Sequence, residues 1–309
     1  MSEQNLPGGF INEVVRVGDT VRRKPAANAD FTHALLNHFE AHSWPGAPRY
    51  LGLDPAGREI LTFVDGVVPW SSLPPAFLAP ATLHSVGRLT REFHDLTAGT
   101  PLAATHEVVC HNDLSPKNTV YTPTAPQGHS KSEEPRDPEE QRDPEEQGGP
   151  EGQGGPEGQG GSEGQGEPAR SGASDERMRL GASDEGMQAG NSDEGMRAFA
   201  FLDWDLAAPG PRIHDLAFIC WQYADLPNAE LPEIISRWQS LCAGYGPTDR
   251  SALVETVLWW QTRTIEGIES QALEDPAMAH LVALGIPTQI RQTRTRLTTH
   301  APALTQALT

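Results

Sequence analysis

The sequence has no run of apolar residues near the 18 or so that a membrane-spanning helix needs. Its first ten residues, MSEQNLPGGF, lack the basic start and apolar middle of a secretory signal. Only three cysteines occur, Cys110, Cys220 and Cys242, without the spacing of a metal site, as is typical of small buried side chains in a reducing compartment. These absences predict a soluble, cytoplasmic chain with no membrane partner.

Positive charge is also scarce. Lys and Arg number 23 against 42 Asp and Glu, which gives a net charge of −19 in 309 residues. Proteins that bind nucleic acid present clustered Lys and Arg to the phosphates, and an anionic lipid surface attracts the same residues. The charge balance therefore argues against both nucleic acid and membrane surfaces as partners.

Aromatic residues are missing from one long stretch, since no Phe, Trp or Tyr lies between Tyr121 and Phe199. Residues 123–197 hold 18 acidic and 7 basic residues and 16 of the 30 glycines, in short tandem repeats such as RDPEEQ and GGPEGQ. Such a segment buries too little apolar surface to offset the entropy lost on ordering. We therefore predict a disordered acidic insert at 123–197 within an otherwise globular chain.

The pattern before residue 67 differs from the pattern after it. Strands are predicted at 10–17, 20–24, 49–53 and 59–64, with a turn at Gly18-Asp19 and a helix after Asp30. Later segments show helical spacing, first around Leu83 to Leu96 and then at roughly 214–225, 230–243, 250–271 and 287–307. This predicts an α+β protein with a small antiparallel-sheet domain at 1–66 and a helical domain at 67–309.

The strongest chemical signal is HNDLSPKN at 111–118, in which Asp113 and Asn118 are five residues apart. Phosphoryl transfer from a nucleotide needs an acceptor for the proton of the attacking hydroxyl and oxygen ligands for a metal on the phosphates. A loop Asp can supply the first, and an Asn amide oxygen can supply one of the second. A turn-capping Asp and an ordinary loop Asn are the structural alternatives.

A second signal is FLDWD at 201–205. Residues 118–121 and 199–203 look like the two halves of one antiparallel hairpin, which would bring Asp203 beside Asn118. Two oxygen donors at one point suit Mg²⁺. Asp205 either assists the metal or stabilises the turn, and Asp203 has the structural alternative of a simple strand-end residue.

With these motifs, and with DLA at 215–217, the sequence resembles the aminoglycoside phosphotransferase and choline kinase group of small-molecule kinases, over roughly 8–122 and 198–300. The resemblance implies the bilobal protein-kinase-like fold, with a small antiparallel-sheet N-lobe that binds nucleotide and a helical C-lobe that carries the catalytic loop.

The same resemblance implies roles for individual residues. Asp113 matches the catalytic base, and Asn118 and Asp203 match two metal ligands. His111, which we group with the catalytic residues, and Asp215 match residues that hold the catalytic loop in shape. His94 and Asp95, at the end of the long helix, are expected to be structural.

The N-lobe departs from the kinase pattern. Only Gly8 and Gly9 stand where a glycine-rich phosphate loop is expected, with so little chain before them that the first strand is expected to be missing. Arg23 takes the place of the strand lysine, on the same face as Val21 by strand alternation, and can hold a phosphate bidentately.

The partner of that strand residue also departs from the pattern. The helix Glu that pairs with the kinase lysine is absent, and His33 stands near its position. Phe63 and Val64, by residue match, would offer backbone groups to adenine.

The resemblance implies transfer of the γ-phosphoryl group of ATP, or alternatively GTP, to a hydroxyl of a small molecule, aminoglycoside-like or another metabolite, with Mg²⁺. A catalytically degenerate kinase-like module that binds nucleotide or metabolite is the alternative, motivated by the reduced glycine loop and the missing Lys–Glu pair. A third interpretation makes the acidic insert an interaction tether. The sequence assigns neither the acceptor nor the oligomeric state, although Trp259, Arg263 and Glu266 share one helix face.

Overall fold

The N-terminal part of the chain forms one antiparallel sheet. The computed structural model describes residues 3–6, 14–70, 73–124 and 195–308. The strands follow the order β1-β2-β3-β5-β4, and their bounds are β1 Gln4–Asn5, β2 Val15–Val17, β3 Thr20–Arg23, β4 Tyr50–Leu53 and β5 Glu59–Thr62. Helix α1, Ala29–Ala41, connects β3 to β4 and buries Leu35, Leu36 and Phe39. The predicted combination of four strands and one helix is therefore present.

The expectation that the first strand is missing was wrong. Residues Gln4–Asn5 pair antiparallel with β2, with Gln4 opposite Arg16. A strand of two exposed residues carries no apolar alternation, so the sequence pattern could not indicate it. Between β2 and β3 the chain turns at Gly18, whose φ of 62° is accessible to glycine at little cost.

The rest of the described chain is largely helical. After α1 the helices are α2 Pro80–Thr97, α3 Ile213–Gln222, α4 Leu231–Tyr245, α5 Leu253–Gln271, α6 Pro276–Ala283 and α7 Ile286–Leu308. The periodicity predicted all of these except α6, which has eight residues and no buried side chain among them. Its sequence, PAMAHLVA, is apolar on most sides and therefore shows little amphipathic period to detect. None of the described helices is both long enough and apolar enough to cross a membrane.

Two short strand pairs carry the polar motifs. β6, Val108–Cys110, pairs with β9, Ala208–Gly210. β7, Thr119–Pro123, pairs antiparallel with β8, Met196–Phe201, with Thr119 opposite Phe201, as the interrupted hairpin predicts. Pro123, Met196 and Arg197 therefore belong to strands, and the predicted insert is too wide at both ends. The prediction of disorder for 125–194 lies outside the described residues.

The two predicted lobes meet beside this hairpin. Val67 forms a backbone bridge with Tyr121 of β7, with both N–H···O distances at 2.9 Å. The preceding Gly66 has φ 154°, and a Cβ there would lie 2.8 Å from the Tyr121 carbonyl oxygen. The connection after β5 therefore lies directly on the hairpin that carries the motifs.

Candidate functional site

The loop between β6 and β7 is held at its start by Asp215, the buried carboxylate on the first turn of α3. Its Oδ2 accepts the His111 backbone N–H at 2.7 Å, and its Oδ1 accepts that of Asn112 at 2.9 Å. His94 of α2 also contacts Oδ2, at 3.0 Å from its Nε2. These hydrogen bonds lower the pKa of Asp215, although burial alone would raise it.

His111 has both ring nitrogens engaged. Its Nε2 lies 2.9 Å from the Leu202 carbonyl oxygen, and its Nδ1 accepts the Asp113 backbone N–H at 3.3 Å. The ring is fully buried, and burial lowers the pKa of His111. A neutral imidazole that donates from Nε2 and accepts at Nδ1 satisfies both contacts. This arrangement ties the loop to the chain just ahead of Asp203.

Asp113 and Asn118 are joined side chain to side chain. The Asn118 amide nitrogen donates to the Asp113 carboxylate at 2.8 Å and to its backbone carbonyl at 3.0 Å. Because the amide nitrogen faces Asp113, the Asn118 Oδ1 faces away from it and is free of that carboxylate. Burial, with the nearby charge of Asp203, raises the pKa of Asp113 to about 7.

The end of the hairpin brings Asp203 beside Asn118. The Leu202 N–H donates to the Asn118 carbonyl oxygen at 2.8 Å, so Asp203 is the next residue along from that contact. Its backbone is left-handed, with φ 60° and ψ 65°, a conformation that Asp tolerates better than most residues. The turn is held by Trp204, which is buried and packs on Phe39 at a ring-centroid distance of 5.0 Å.

Arg23, at the end of β3, connects the sheet to this turn. Its Nη1 donates to Asp203 at 2.8 Å and to Asp205 at 3.1 Å, and its Nη2 also donates to Asp205. Its Nε donates to Glu59, the directly opposite residue on β5. Burial would lower the pKa of Arg23, but the three surrounding carboxylates raise it above its usual value. One permanent positive charge thus faces three carboxylates.

The resulting group joins one guanidinium to three carboxyl groups, so the acidic side chains outnumber the basic one by two. The exposed member is Asp203, whose side chain is 47% accessible, whereas that of Asp205 is 18% accessible. Carboxylate and amide oxygens are the donors that Mg²⁺ prefers. The donor set of Asn118 and Asp203 therefore fits a magnesium ion in both charge and chemistry.

The remaining predicted nucleotide contacts divide into three cases. The Phe63 backbone N–H is already used, because it donates to the Asp19 carbonyl at 2.9 Å, and its ring lies 3.6 Å from the Arg16 guanidinium. Only its carbonyl is left for a ligand. Val64 is half-buried and makes no hydrogen bond among the described residues. Gly8 and Gly9 lie outside them.

Sequence reasoning missed Glu59, a residue with both carboxylate oxygens engaged and 1% exposure. The signal available was an acidic residue at a buried position of an alternating strand. It could not be interpreted without the sheet order, because β3 pairs with β5 and not with the next strand along the chain.

A second cluster of ligand-type side chains lies deeper in the fold. His94, Cys110 and Asp215 place one potential ligand atom each within 4.8 Å of the others, and all three are buried. The nitrogens of His94 are taken by Asp215 and by the Tyr245 hydroxyl at 2.7 Å. Burial raises the pKa of the Cys110 thiol, which disfavours the thiolate that binds metals. The contacts of this cluster are those of a structural group.

Trp259, Arg263 and Glu266, which share one face of α5, make different contacts. Trp259 is exposed and stacks on His214 at 4.9 Å, and Arg263 lies over its ring at 5.4 Å. Glu266 instead lines an open cavity of about 420 Å³ between α5 and α7, with Glu269 and Arg291.

Comparison with known proteins finds no matching family model. A trifolitoxin immunity protein from Rhizobium leguminosarum bv. trifolii is 29% identical over 143 residues, which is 40% of this chain and 52% of that protein. The chain therefore spans about half the length of this curated relative.

Solved structures give a broader match. A choline/ethanolamine kinase family protein from Mesorhizobium loti matches with a TM-score of 0.50 and 13% identity, over 99% of this chain and 93% of that one. An ethanolamine kinase from Plasmodium vivax gives 0.49 and 11%, over 99% and 83%. An aminoglycoside phosphotransferase from Streptomyces rimosus gives 0.45 and 12%, over 84% and 90%. The likeness to the Mesorhizobium loti protein, with the sheet and helices described above, shows that this chain has the kinase-like fold that its motifs imply.

Proposed function

We propose that the chain is a small-molecule kinase that transfers the γ-phosphoryl group of ATP, or alternatively GTP, to a hydroxyl of a small molecule, with Mg²⁺. The observation that carries the proposal is the joint position of Asp113 and Asn118, hydrogen-bonded at 2.8 Å, beside the turn that bears Asp203. This arrangement places a proton acceptor beside two side chains whose oxygens can bind a metal ion, at one end of one hairpin.

In the proposed reaction, Asp113 orients the acceptor hydroxyl and takes its proton as the hydroxyl oxygen bonds to the γ-phosphorus. The bond from that phosphorus to the β-phosphate oxygen breaks, and the nucleoside diphosphate leaves. An Asp whose pKa is raised to about 7 is suited to accept a proton at neutral pH. When bound, Mg²⁺ neutralises charge on the phosphates, and Asn118 and Asp203 are the residues that would hold it.

Arg23 would contact the phosphates from the sheet side. Its guanidinium is fixed by Glu59 and reaches the same turn as Asp203. A planar guanidinium donates two parallel hydrogen bonds to a phosphate, as a lysine ammonium cannot. The backbone of residues 63–64, where β5 leaves the sheet, is the proposed contact for the base.

The test is ADP formation with ATP, Mg²⁺ and a panel of hydroxylated metabolites and aminoglycosides. Asp113→Asn keeps the size of the side chain and should lower turnover about 100-fold or more while leaving nucleotide affinity largely unchanged. Asp249→Asn, in the exposed loop before α5, is the matched control and should behave as the unsubstituted chain does. A mutant at Asp113 that keeps most of its transfer rate contradicts the assignment.

A second candidate is a non-catalytic module that binds nucleotide or a toxin and protects a cell. Two observations favour it: the name of the curated relative, an immunity protein, and the pairing of Arg23 with the carboxylates of Asp203 and Asp205. Binding of MgATP without ADP formation, on any acceptor in the panel, would favour this candidate over the kinase.

A further inference from the structure

Kinases pair a strand lysine with a helix glutamate. In this chain an arginine on β3, Arg23, takes the place of the lysine, and its carboxylate partner lies on a strand instead of on the helix. The cation is Arg23 on β3, and the carboxylate that meets its Nε is Glu59 on β5. Helix α1 contributes His33, whose Nε2 lies 2.8 Å from the second oxygen of Glu59. Sheet and helix are therefore connected through a three-residue chain, Arg23–Glu59–His33.

Each member of this chain is fixed on more than one side. The Glu59 side chain is 2% exposed and divides its two oxygens between Arg23 and His33. The His33 ring stacks on Tyr50 of β4, with centroids 3.6 Å apart and planes 12° from parallel. Burying a carboxylate this deeply costs free energy unless both of its oxygens are paired. Glu59 therefore depends on both of its contacts.

Because the guanidinium is planar, the contact between Arg23 and Glu59 also fixes how Arg23 faces the site. Once Nε is held by Glu59, the directions of Nη1 and Nη2 are set, because the five N–H bonds share one rigid plane. Three of the four terminal N–H bonds go to Asp203 and Asp205. One N–H of Nη2 has no hydrogen-bond partner among the described residues, and it is the donor that the proposed function assigns to a phosphate oxygen.

We infer that Glu59 and His33 are positioning residues that aim Arg23 at the nucleotide phosphates. The inference rests on the proposed function and adds to it two residues that touch neither nucleotide nor metal. They act only through the guanidinium. Removing either should therefore weaken nucleotide binding, and removing Glu59 should have no further effect on that binding once Arg23 itself is gone.

The experiment is a double-mutant cycle on the full chain, with MgATP affinity measured by calorimetry in the absence of acceptor. Glu59→Gln should weaken MgATP binding about tenfold. In an Arg23→Met background, which is itself weakened, adding Glu59→Gln should change the affinity by less than about twofold. Equal losses in both backgrounds would show that Glu59 is merely structural and overturn the inference.

A second pair of variants keeps the test open if Glu59→Gln does not fold. His33→Leu removes the donor to Glu59, whereas His33→Gln keeps an N–H at similar reach. We expect the first to weaken MgATP binding several-fold and the second to restore most of the affinity. His42→Gln, at the exposed residue that follows this helix, is the control and should bind as the unsubstituted chain does.

The results distinguish the inference from the function on which it rests. If the unsubstituted chain binds no MgATP, the proposed function and the inference both fail. If it binds MgATP, and His33→Leu and Glu59→Gln bind equally well, the inference fails alone.

Discussion

Arg23 donates hydrogen bonds to both carboxylate oxygens of Asp205 but to only one carboxylate oxygen of Asp203. The second oxygen of Asp203 has no hydrogen bond within the described residues, and its side chain is the more exposed of the two. The two carboxylates of the DWD motif are therefore not equivalent. Asp203 is therefore the one that we propose as a metal ligand, whereas Asp205 has both of its oxygens on the arginine.

This difference predicts different magnesium titrations for two variants. Asp203→Asn should lose turnover at every Mg²⁺ concentration, because it removes a proposed ligand. Asp205→Asn should need about tenfold more Mg²⁺ for half-maximal rate, the typical cost of losing a residue that supports a ligand. The measurement is ADP formation against Mg²⁺ concentration. Equal losses, or a greater loss at Asp205, would reverse the assignment of the two carboxylates.

A close helix crossing predicts a large effect of one methyl group. Gly244 of α4 faces α2 so closely that a Cβ would lie 1.9 Å from the His84 carbonyl oxygen. Gly244→Ala should destabilise the fold by about 3 kcal/mol or more, since backbone must shift to accommodate it. Urea unfolding followed by circular dichroism measures the change.

Gly267, in the middle of α5, is the matched control. A Cβ there meets no atom within 4 Å, so alanine should stabilise the helix by about 0.5 to 1 kcal/mol through its higher helix propensity. If Gly244→Ala leaves the urea midpoint unchanged or raises it, as Gly267→Ala should, the contact between α2 and α4 is not as close as described.

The buried His94–Asp215 pair predicts how stability depends on pH. The His94 Nδ1 lies 2.7 Å from the Tyr245 hydroxyl and its Nε2 lies 3.0 Å from Asp215, and a neutral ring that accepts at the first and donates at the second satisfies both contacts. Burial lowers the pKa of His94 below its ordinary value of 6.5. Below that pH the unfolded chain takes up a proton that the folded chain does not, and the free energy of unfolding therefore falls.

Urea midpoints between pH 8 and pH 5 test this expectation. The midpoint should decrease as the pH falls below about 6.5, and His111, whose pKa is also lowered by burial, adds to the slope. Asp215, with a lowered pKa, contributes a further loss only in stronger acid. His94→Asn should give a flatter profile at lower overall stability. A midpoint that stays constant or rises towards pH 5 would contradict the neutral assignment.

The hairpin of β7 and β8 predicts the effect of shortening the acidic insert. Thr124 donates its N–H to the Gly195 carbonyl at 2.9 Å, so the strands remain paired up to these residues. Replacing 125–194 with a four-residue Gly-Ser turn should raise stability by about 2 to 3 kcal/mol, because a shorter loop costs less entropy to close. MgATP affinity should not change. A loss of stability or of MgATP affinity would show that the segment contributes to the folded structure.

Elements with a strong apolar period could be predicted from the sequence. α2 buries Leu83, Val86, Leu89 and Phe93, spaced as one helix face, and the hairpin followed from two short apolar strands beside polar motifs. β1 could not be predicted because both of its residues are exposed. α6 could not be predicted because it is short and apolar on most sides, which leaves little amphipathic period.

The site was predictable only in part for a related reason. Asp113 and Asn118 lie close in sequence, so their spacing carries the signal. Arg23 meets Asp203 across 180 residues, and its contact with Glu59 depends on a strand order that only the folded sheet defines. The backbone of Phe63 is predicted to face adenine, but its N–H donates to the Asp19 carbonyl instead. Such contacts are properties of the tertiary structure.

The two strands of the interrupted hairpin are also synthesised at different times. Asn118 leaves the ribosome 85 residues ahead of Asp203, a delay of about 4 to 17 s at ordinary elongation rates. During that interval β7 has no partner strand, and the loop holding Asp113 lacks the buried carboxylate of Asp215. A nascent chain at that stage has half of its polar site and lacks β8 and α3, which hold that half in the folded protein.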